Sequence, residues 1–457
     1  MPNFKKLAKN YENNATVALQ QFVRIDSHYD ATTIKENQPY GAGVKKALDY
    51  FAKLGTDFGY KVDKCNGYCT EITIGEEGPI IGIYGHSDVV PVSGKWSVPP
   101  FGATIKDGKL IGRGAIDDKG PLIAALYGAK LLKDNGLVKG YRIRVVSGGD
   151  EERGSSCLKY YFHTLKKEDC DFGFTPDADF PLIFAEKGML GYNAVLKDDL
   201  SPIIAMDGGV VANAVCDRLL VTIKKDPEFE KFIEGLGKEA DVENLSSSLF
   251  TMIAFKGKTA HGSTPEKGDN AALKAFKILG KFYKKESLLK LADTLSDCNG
   301  RNFNGFNESK VLGKTTYNFG IFNYANGVLS FTIDFRFGEE CDGEKMIANL
   351  AKALPLELVK RSEHQHLLYD LRSPLVATLM KSYKKSTHKF FAKPLAIGGG
   401  TYAKEAKNTV AFGACIDGDE CNMHSPDEYI ILKNFYDDIE IYARAIYMLG
   451  EMAKKRK

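Results

Sequence analysis

The sequence predicts an α/β protein: a mixed, mostly parallel sheet flanked by helices, with an α+β unit inserted in the chain. Three observations carry this. Apolar runs at 80–85, 141–146 and 171–176 alternate with helical patterns at 122–132 and 155–165, the order that builds parallel strands with crossover helices. Each run gives way to polar or acidic residues at its C-terminal end, the edge where open α/β sheets place their sites. From about Glu186 the texture shifts toward strands, glycines and exposed lysines, and the apolar helix pattern resumes near Pro374. The expected organisation is a first part, 1–185, an inserted unit, 186–374, and a second part of the main unit, 375–457.

Size and composition fit that organisation. A chain of 457 residues, 44% of them hydrophobic, buries a sizeable core and divides into more than one domain. Lys and Arg number 62 against 59 Asp and Glu, a formal charge of +3, too little excess to argue a nucleic-acid partner. No apolar run approaches the ~18 residues that span a bilayer. The start, Met1 to Lys6, lacks the apolar region of a secretory signal, so a cytoplasmic protein without a membrane partner is expected. Nine scattered cysteines read as reduced thiols. The pairs Cys65/Cys69 and Cys415/Cys421 are completed by no second pair or nearby histidine, and they are taken as free thiols too.

Taking the chain in order, residues 12–25 have Val17, Leu19, Phe22 and Val23 for one helical face, and 43–58 form a second amphipathic helix that stops before Gly59. The run Ile81 to Tyr84 leads through Gly85 to His86 and Asp88. An irregular loop follows, then a hairpin signal at Lys106-Asp107-Gly108-Lys109. Asp117 and Asp118 precede Pro121, which suits a first helical turn. The strand 141–146 ends before Asp150-Glu151-Glu152, and 171–176 ends on Asp177. In the inserted unit, strands are expected at 190–196, 249–256, 315–322 and 328–336, with helices near 226–236, 269–284 and 343–353. A long amphipathic helix, 429–452, ends the chain.

Four strand or loop ends thus present His86, Asp117, the Glu151–Glu152 pair and Asp177. Taken singly each has a plain reading: a hydrogen-bonded histidine at a strand end, or acids in the first turn of a helix, where the dipole favours them. Taken together they hold the donors that two cations ~3.5–4 Å apart require: imidazoles, carboxylates and one bridging carboxylate. His86, Asp117, Glu152, Asp177 and one further histidine complete that set, and His424, in a polar loop before the last helix, is the best candidate. One glutamate of the pair is then left over for proton transfer.

The stretches Gly85-His86-Ser87-Asp88, Gly112 to Gly120, Gly149 to Gly154, Pro176-Asp177-Ala178 and Met423-His424 resemble, in order, the signatures of the M20 family of metallopeptidases. Glu186-Lys187-Gly188 and Ile397 to Tyr402 resemble most its PepV-like dipeptidases. The resemblance implies His86 and Asp177 on one metal, Glu152 and His424 on the other, and Asp117 bridging, with a peptide to Asp118 that is often cis. It implies Asp88 as the residue that orients His86 and Glu151 as general base, then acid. From the inserted lid it implies His261 as oxyanion stabiliser, Asn213 beside it, and Arg336 with the Gly399-Gly400-Thr401 loop as holder of the substrate carboxylate. Without it, His261 reads as a surface-turn cap, Arg336 as a strand-face ion pair and the glycines as a tight turn. The chain departs from the family pattern at Phe337-Gly338, where proline is common, and at Asp427, where asparagine is common.

The expectation is therefore a metal-dependent dipeptidase using two divalent ions, zinc first and manganese or cobalt as alternatives. Its partner is a small peptide with a free N-terminus, and the length of the lid points to a monomer. A deacylase of N-acyl amino acids, a non-catalytic binding protein and a phosphoesterase are the competing readings.

Overall fold

In the computed structural model, which describes residues 2–237, 241–416 and 421–456, the strand Ile80–His86 is buried at every position. Its alternating side chains enter two different cores. Ile81 and Ile83 join a large cluster with Leu122, Leu126 and Ile439, while Ile80 and Tyr84 join a smaller one with Leu158, Tyr161 and Tyr402. A strand covered on both faces has no polar side to present, which is why this run is apolar throughout.

The strand lies in the middle of a mixed sheet. It pairs in parallel with Arg142–Gly148 on one side and with Phe172–Thr175 on the other, and Phe172–Thr175 pairs in parallel with Thr409–Ala411. Antiparallel strands border this centre: Cys69–Ile74 against Arg142–Gly148, Lys61–Asp63 beyond it, and Ile183 against Ala411 on the far side. The strand Cys69–Ile74, between the helix Ala42–Asp57 and Ile80, is absent from the elements the sequence predicts. Its six residues carry a buried Thr70 and Glu71, whose polar groups are taken up by the Leu48 carbonyl and the Tyr161 hydroxyl. The expected helix over 155–165 is also divided, α-helical at Ser156–Lys159 and π-helical at Tyr160–Thr164.

The chain forms two units by contact: Met1–Phe184 with Tyr369–Leu395 and Gly400–Lys457, and Ala185–Leu368 with Ala396–Gly399. The return into the first unit comes at Tyr369. The Tyr369 N–H donates to the Phe184 carbonyl (2.9 Å) before the helix Pro374–Thr387 begins at its Ser373 cap. Residues 396–399 belong with the second unit, where the Lys187 N–H donates to the Ile397 carbonyl (3.1 Å).

In the first unit the helices Lys119–Asp134 and Leu432–Ala453 cross closely at Gly128. A Cβ there would lie 2.9 Å from the Ala443 nitrogen and 3.2 Å from the Ile439 oxygen. Gly128→Leu must force these backbones apart, and is expected to lower the thermal unfolding midpoint at a cost of about 1–3 kcal/mol. An unchanged midpoint would show room that the structure does not.

The second unit is an antiparallel sheet of eight strands, in spatial order Val242–Asn244, Phe250–Lys256, Arg218–Lys224, Ile203–Gly208, Thr316–Ala325, Val328–Phe337, Gly188–Lys197 and Glu357–His364. Leu329, Phe331, Ile333 and Phe335 point into its core with residues of the helices Pro227–Leu236, Ala271–Phe282, Glu286–Leu295 and Gly343–Ala353. Asp334 and Arg336 alternate with them and so occupy the sheet's other face. Among the described residues no helix is long and apolar enough to cross a membrane, and the cysteines form no disulfide.

Candidate metal centre

The parallel pairing decides which chain ends meet. His86 ends one strand, Glu151 and Glu152 follow its neighbour Arg142–Gly148, and Asp177 follows its other neighbour Phe172–Thr175, so all four lie at one sheet edge. Asp117 comes from the loop before the helix Lys119–Asp134, and His424 from the loop before the strand Tyr429–Ile431.

At that edge Asp117 turns one oxygen to each histidine. Oδ1 is 2.9 Å from His86 Nε2 and Oδ2 is 2.7 Å from His424 Nε2. Asp177 Oδ2 lies 3.7 Å from His86 Nε2, and Glu152 Oε1 lies 3.3 Å from His424 Nε2. The result is two overlapping groups, His86–Asp117–Asp177 and Asp117–Glu152–His424, with the ligand atoms of each within 4.8 Å of one another.

Neighbouring groups fix these side chains. The His86 N–H donates to Asp118 Oδ2 (3.0 Å), an approach open only because residue 85 is glycine: a Cβ there would lie 2.3 Å from that oxygen. The Asp117–Asp118 peptide is cis. His86 Nδ1 lies 3.0 Å from the Asp88 carbonyl oxygen and 3.4 Å from its carboxylate, which leaves Nε2 as the atom turned to Asp117. The same Asp88 carboxylate accepts the backbone N–H groups of Glu151 and Glu152, both at 3.1 Å. Asp88 therefore ties the acidic turn to the strand end, a role the sequence did not disclose. The Tyr402 ring stands edge-on to His86 at 6.2 Å, and its hydroxyl meets Cys157 Sγ (3.0 Å).

The electrostatics are those of crowded acids. Burial pushes Asp177 and Glu152 up to about 7, and the facing Asp117 adds to both shifts. Glu151 is pushed up as well, by burial first and then by Asp177. Burial disfavours charge on His424, but its bonds to Asp117 and Glu152 outweigh that and hold it up at about 11. His86 is raised against burial in the same way, chiefly by Asp117 and Asp88. Burial also opposes ionisation of Asp117, yet the two histidines outweigh it and hold its carboxyl well below the usual range. Burial and mutual repulsion thus oppose ionisation of three of the four carboxyl groups, and bound cations would favour their charged forms. A mixed nitrogen and oxygen set with one carboxylate common to both groups fits a pair of divalent ions.

The residues expected from the lid lie in the second unit, and three of them form one patch there. Ala214 bridges to His261, and the Gly262 N–H donates to the Asn213 carbonyl (2.6 Å). A Cβ on Gly262 would lie 2.5 Å from Asp334 Oδ2. Arg336, 3% exposed, turns Nε (3.3 Å) and Nη2 (2.8 Å) to Asp334 and donates from Nη1 to the Gly398 carbonyl (2.7 Å). Among the described residues, three of the five N–H donors of its fork are thus engaged and two remain. The expected loop is split: Gly399 belongs to this unit, whereas Gly400 and Thr401 belong to the first. There the Thr401 hydroxyl caps the turn Tyr402–Lys404.

Sequence reasoning also passed over Arg113 and Glu428, both buried and ion-paired to each other behind Asp117. A glutamate four residues past a candidate ligand carries no local signal, since its partners lie over 300 positions away in the chain.

The family model described as Peptidase family M20/M25/M40 matches residues 82–448, which takes in every candidate ligand. The "Putative dipeptidase YtjP" of Bacillus subtilis is 31% identical over 94% of this chain and 96% of its own length. The "Putative dipeptidase SH1171" of Staphylococcus haemolyticus is likewise 31% identical, over 98% and 99%. Among solved structures, the M20 family metallo-carboxypeptidase Sso-CP2 from Sulfolobus solfataricus shares the fold with a TM-score of 0.60 at 20% identity, over 96% of this chain and 99% of that one. The dipeptidase Dug1p from Saccharomyces cerevisiae does so with a TM-score of 0.59 at 13% identity, over 98% of each. With a model that spans most of the chain and relatives aligned from end to end, this protein is a hydrolase belonging to the peptidase family M20/M25/M40.

Proposed function

We propose that the chain is a dipeptidase with two divalent metal ions, cleaving dipeptides that carry a free N-terminus. The observation that carries this reading is the sharing of Asp117 between two three-residue groups, with Glu151 next to one of them and outside both. His86 and Asp177 would hold one ion and Glu152 and His424 the other, with Asp117 across the pair. Bound there, the ions supply Lewis-acid polarisation of the scissile carbonyl and a more acidic water.

The chain's own groups do the rest. Glu151, whose backbone is pinned by Asp88, takes the proton of the attacking water and returns it to the leaving nitrogen. Asp88 holds His86 with Nε2 outward, as partners of ligating histidines do. Arg336 offers its two remaining N–H donors to the substrate carboxylate, and its pairing with Asp334 fixes the direction of the planar fork. His261 and Asn213 are assigned to the carbonyl oxygen. Gly399, Gly400 and Thr401 are assigned to the carboxylate end. End-to-end relatives named as dipeptidases favour this substrate class over an N-acyl amino acid.

The test is a panel of free dipeptides beside their N-acetyl forms, with zinc, manganese and cobalt titrated into metal-free protein. Free dipeptides are expected to turn over faster than their acetylated forms by at least an order of magnitude, about 1.4 kcal/mol of barrier. Preference for the acetylated forms would make the chain a deacylase, and equal turnover without metal would remove the ions from the reading.

A further inference from the structure

We propose that Glu428 is a positioning residue that fastens the loop bearing Asp117 to the loop bearing His424, and so sets the spacing of the centre. This rests on the metal reading above. Glu428 is fully buried. Its Oε1 accepts the N–H groups of Ile116 (3.1 Å) and Asp117 (3.3 Å), its Oε2 accepts from the Arg113 guanidinium, and its carbonyl accepts the Gly112 N–H (2.8 Å). One residue thus makes four bonds to the stretch 112–117, which ends on the carboxylate common to both groups.

The His424 loop depends on the same anchor. His424 has φ +61°, in the left-handed region that is uncommon for residues other than glycine and that persists only where the surroundings determine it. Its side chain is 51% exposed, so burial does not fix the ring. The chain is held beyond it instead. The Tyr429 N–H donates to the Cys421 carbonyl (3.1 Å), Asp427 Oδ1 accepts the Ser97 N–H (2.8 Å), and Tyr429–Ile431 pairs with Lys109–Ile111. Arg113 is itself held, its guanidinium 5.4 Å from the Trp96 ring and its N–H on the Pro100 carbonyl (2.8 Å).

A buried ion pair is poor evidence for stability, because apolar residues of the same volume often serve as well. What they cannot do is accept the N–H groups of Ile116 and Asp117, the second of which orients the Ile116–Asp117 peptide. Asp117 must offer one oxygen to each side, so a tilt of that peptide withdraws an oxygen from one ion or the other.

The experiment compares Arg113→Met/Glu428→Gln with Arg113→Met/Glu428→Leu. Both remove the charge pair together, and only glutamine keeps an acceptor for the two N–H groups. Zinc and cobalt affinities are measured by chelator competition and normalised to the folded fraction, with the cobalt visible spectrum recorded beside them. The glutamine variant is expected to bind within about threefold of the parent, and the leucine variant about 10–100-fold more weakly with an altered spectrum. Should either double variant fail to fold, Glu428→Asp, which keeps both charges and draws the acceptor back by one methylene, is expected to show the same weakening. Equal affinity per folded molecule in the leucine and glutamine variants, or an unweakened aspartate variant, would make the role purely structural and overturn the proposal. A parent protein that takes up no metal would overturn the centre itself, and this proposal with it.

Discussion

Replacing Glu151 by glutamine is expected to lower kcat by about 10²–10⁴-fold, the range general acid–base catalysis supplies, while metal content stays intact. That range corresponds to roughly 3–5 kcal/mol of transition-state stabilisation. The substitution is clean because the bonds that hold this turn run from the backbone N–H groups of Glu151 and Glu152 to Asp88. A side-chain amide at 151 disturbs neither. Glu151 is also outside both ligand groups, so a fall in turnover cannot be ascribed to lost metal once content is measured. Steady-state kinetics on a dipeptide beside metal analysis of the same sample decide it: near-normal turnover with metal bound would show that another group moves the proton.

Asp117→Ala is expected to abolish uptake at both positions at once, and turnover with it. Two opposing effects act on the metal-free fold. The imidazoles of His86 and His424 lose their carboxylate partner, at about 1.5–3 kcal/mol for each charged hydrogen bond. Against that, Glu152 and Asp177 lose the facing charge that raises them. The second offsets only part of the first, so the metal-free unfolding midpoint should fall by the remainder. The midpoint with metal should move far more, because an ion at 100 times its Kd stabilises the native state by about 2.7 kcal/mol and the variant forgoes this for both ions. Thermal scans with and without zinc distinguish the cases. A variant still stabilised by zinc would show that the two groups hold metal independently of Asp117.

Much of this site was legible because its parts sit where chain patterns change. His86 follows a run apolar on both faces, Asp117 precedes a helix opened by Pro121, and Asp177 closes a short apolar strand; each is a boundary that periodicity marks. The shift in texture between Glu186 and Pro374 is the other such change, and it marks where the sequence reading puts an inserted unit. What stayed hidden needs contacts remote in sequence. Cys69–Ile74 is a strand because Arg142–Gly148 pairs with it, and Thr70, Glu71 and Thr73 interrupt the apolar run that would have marked it in the sequence. The helix Glu286–Leu295 was lost because the break before it, at Lys284 with φ +53°, uses neither glycine nor proline. Arg113 and Glu428 look like surface charges until the fold buries them together. Asp88 was expected to orient His86, but its second duty on the Glu151–Glu152 turn needs two strand ends placed side by side.

The strand Thr409–Ala411 fills the place between Phe172–Thr175 and Ile183, although more than 200 residues separate it from them in the chain. During synthesis the first 184 residues therefore leave the ribosome with an open sheet edge and without His424, while the inserted unit already has nearly all of its own strands. At ~5–20 residues per second that interval lasts roughly tens of seconds. An exposed edge is a template for unwanted strand pairing, and on this side of the sheet it is covered only once the three residues Thr409–Ala411 have joined it.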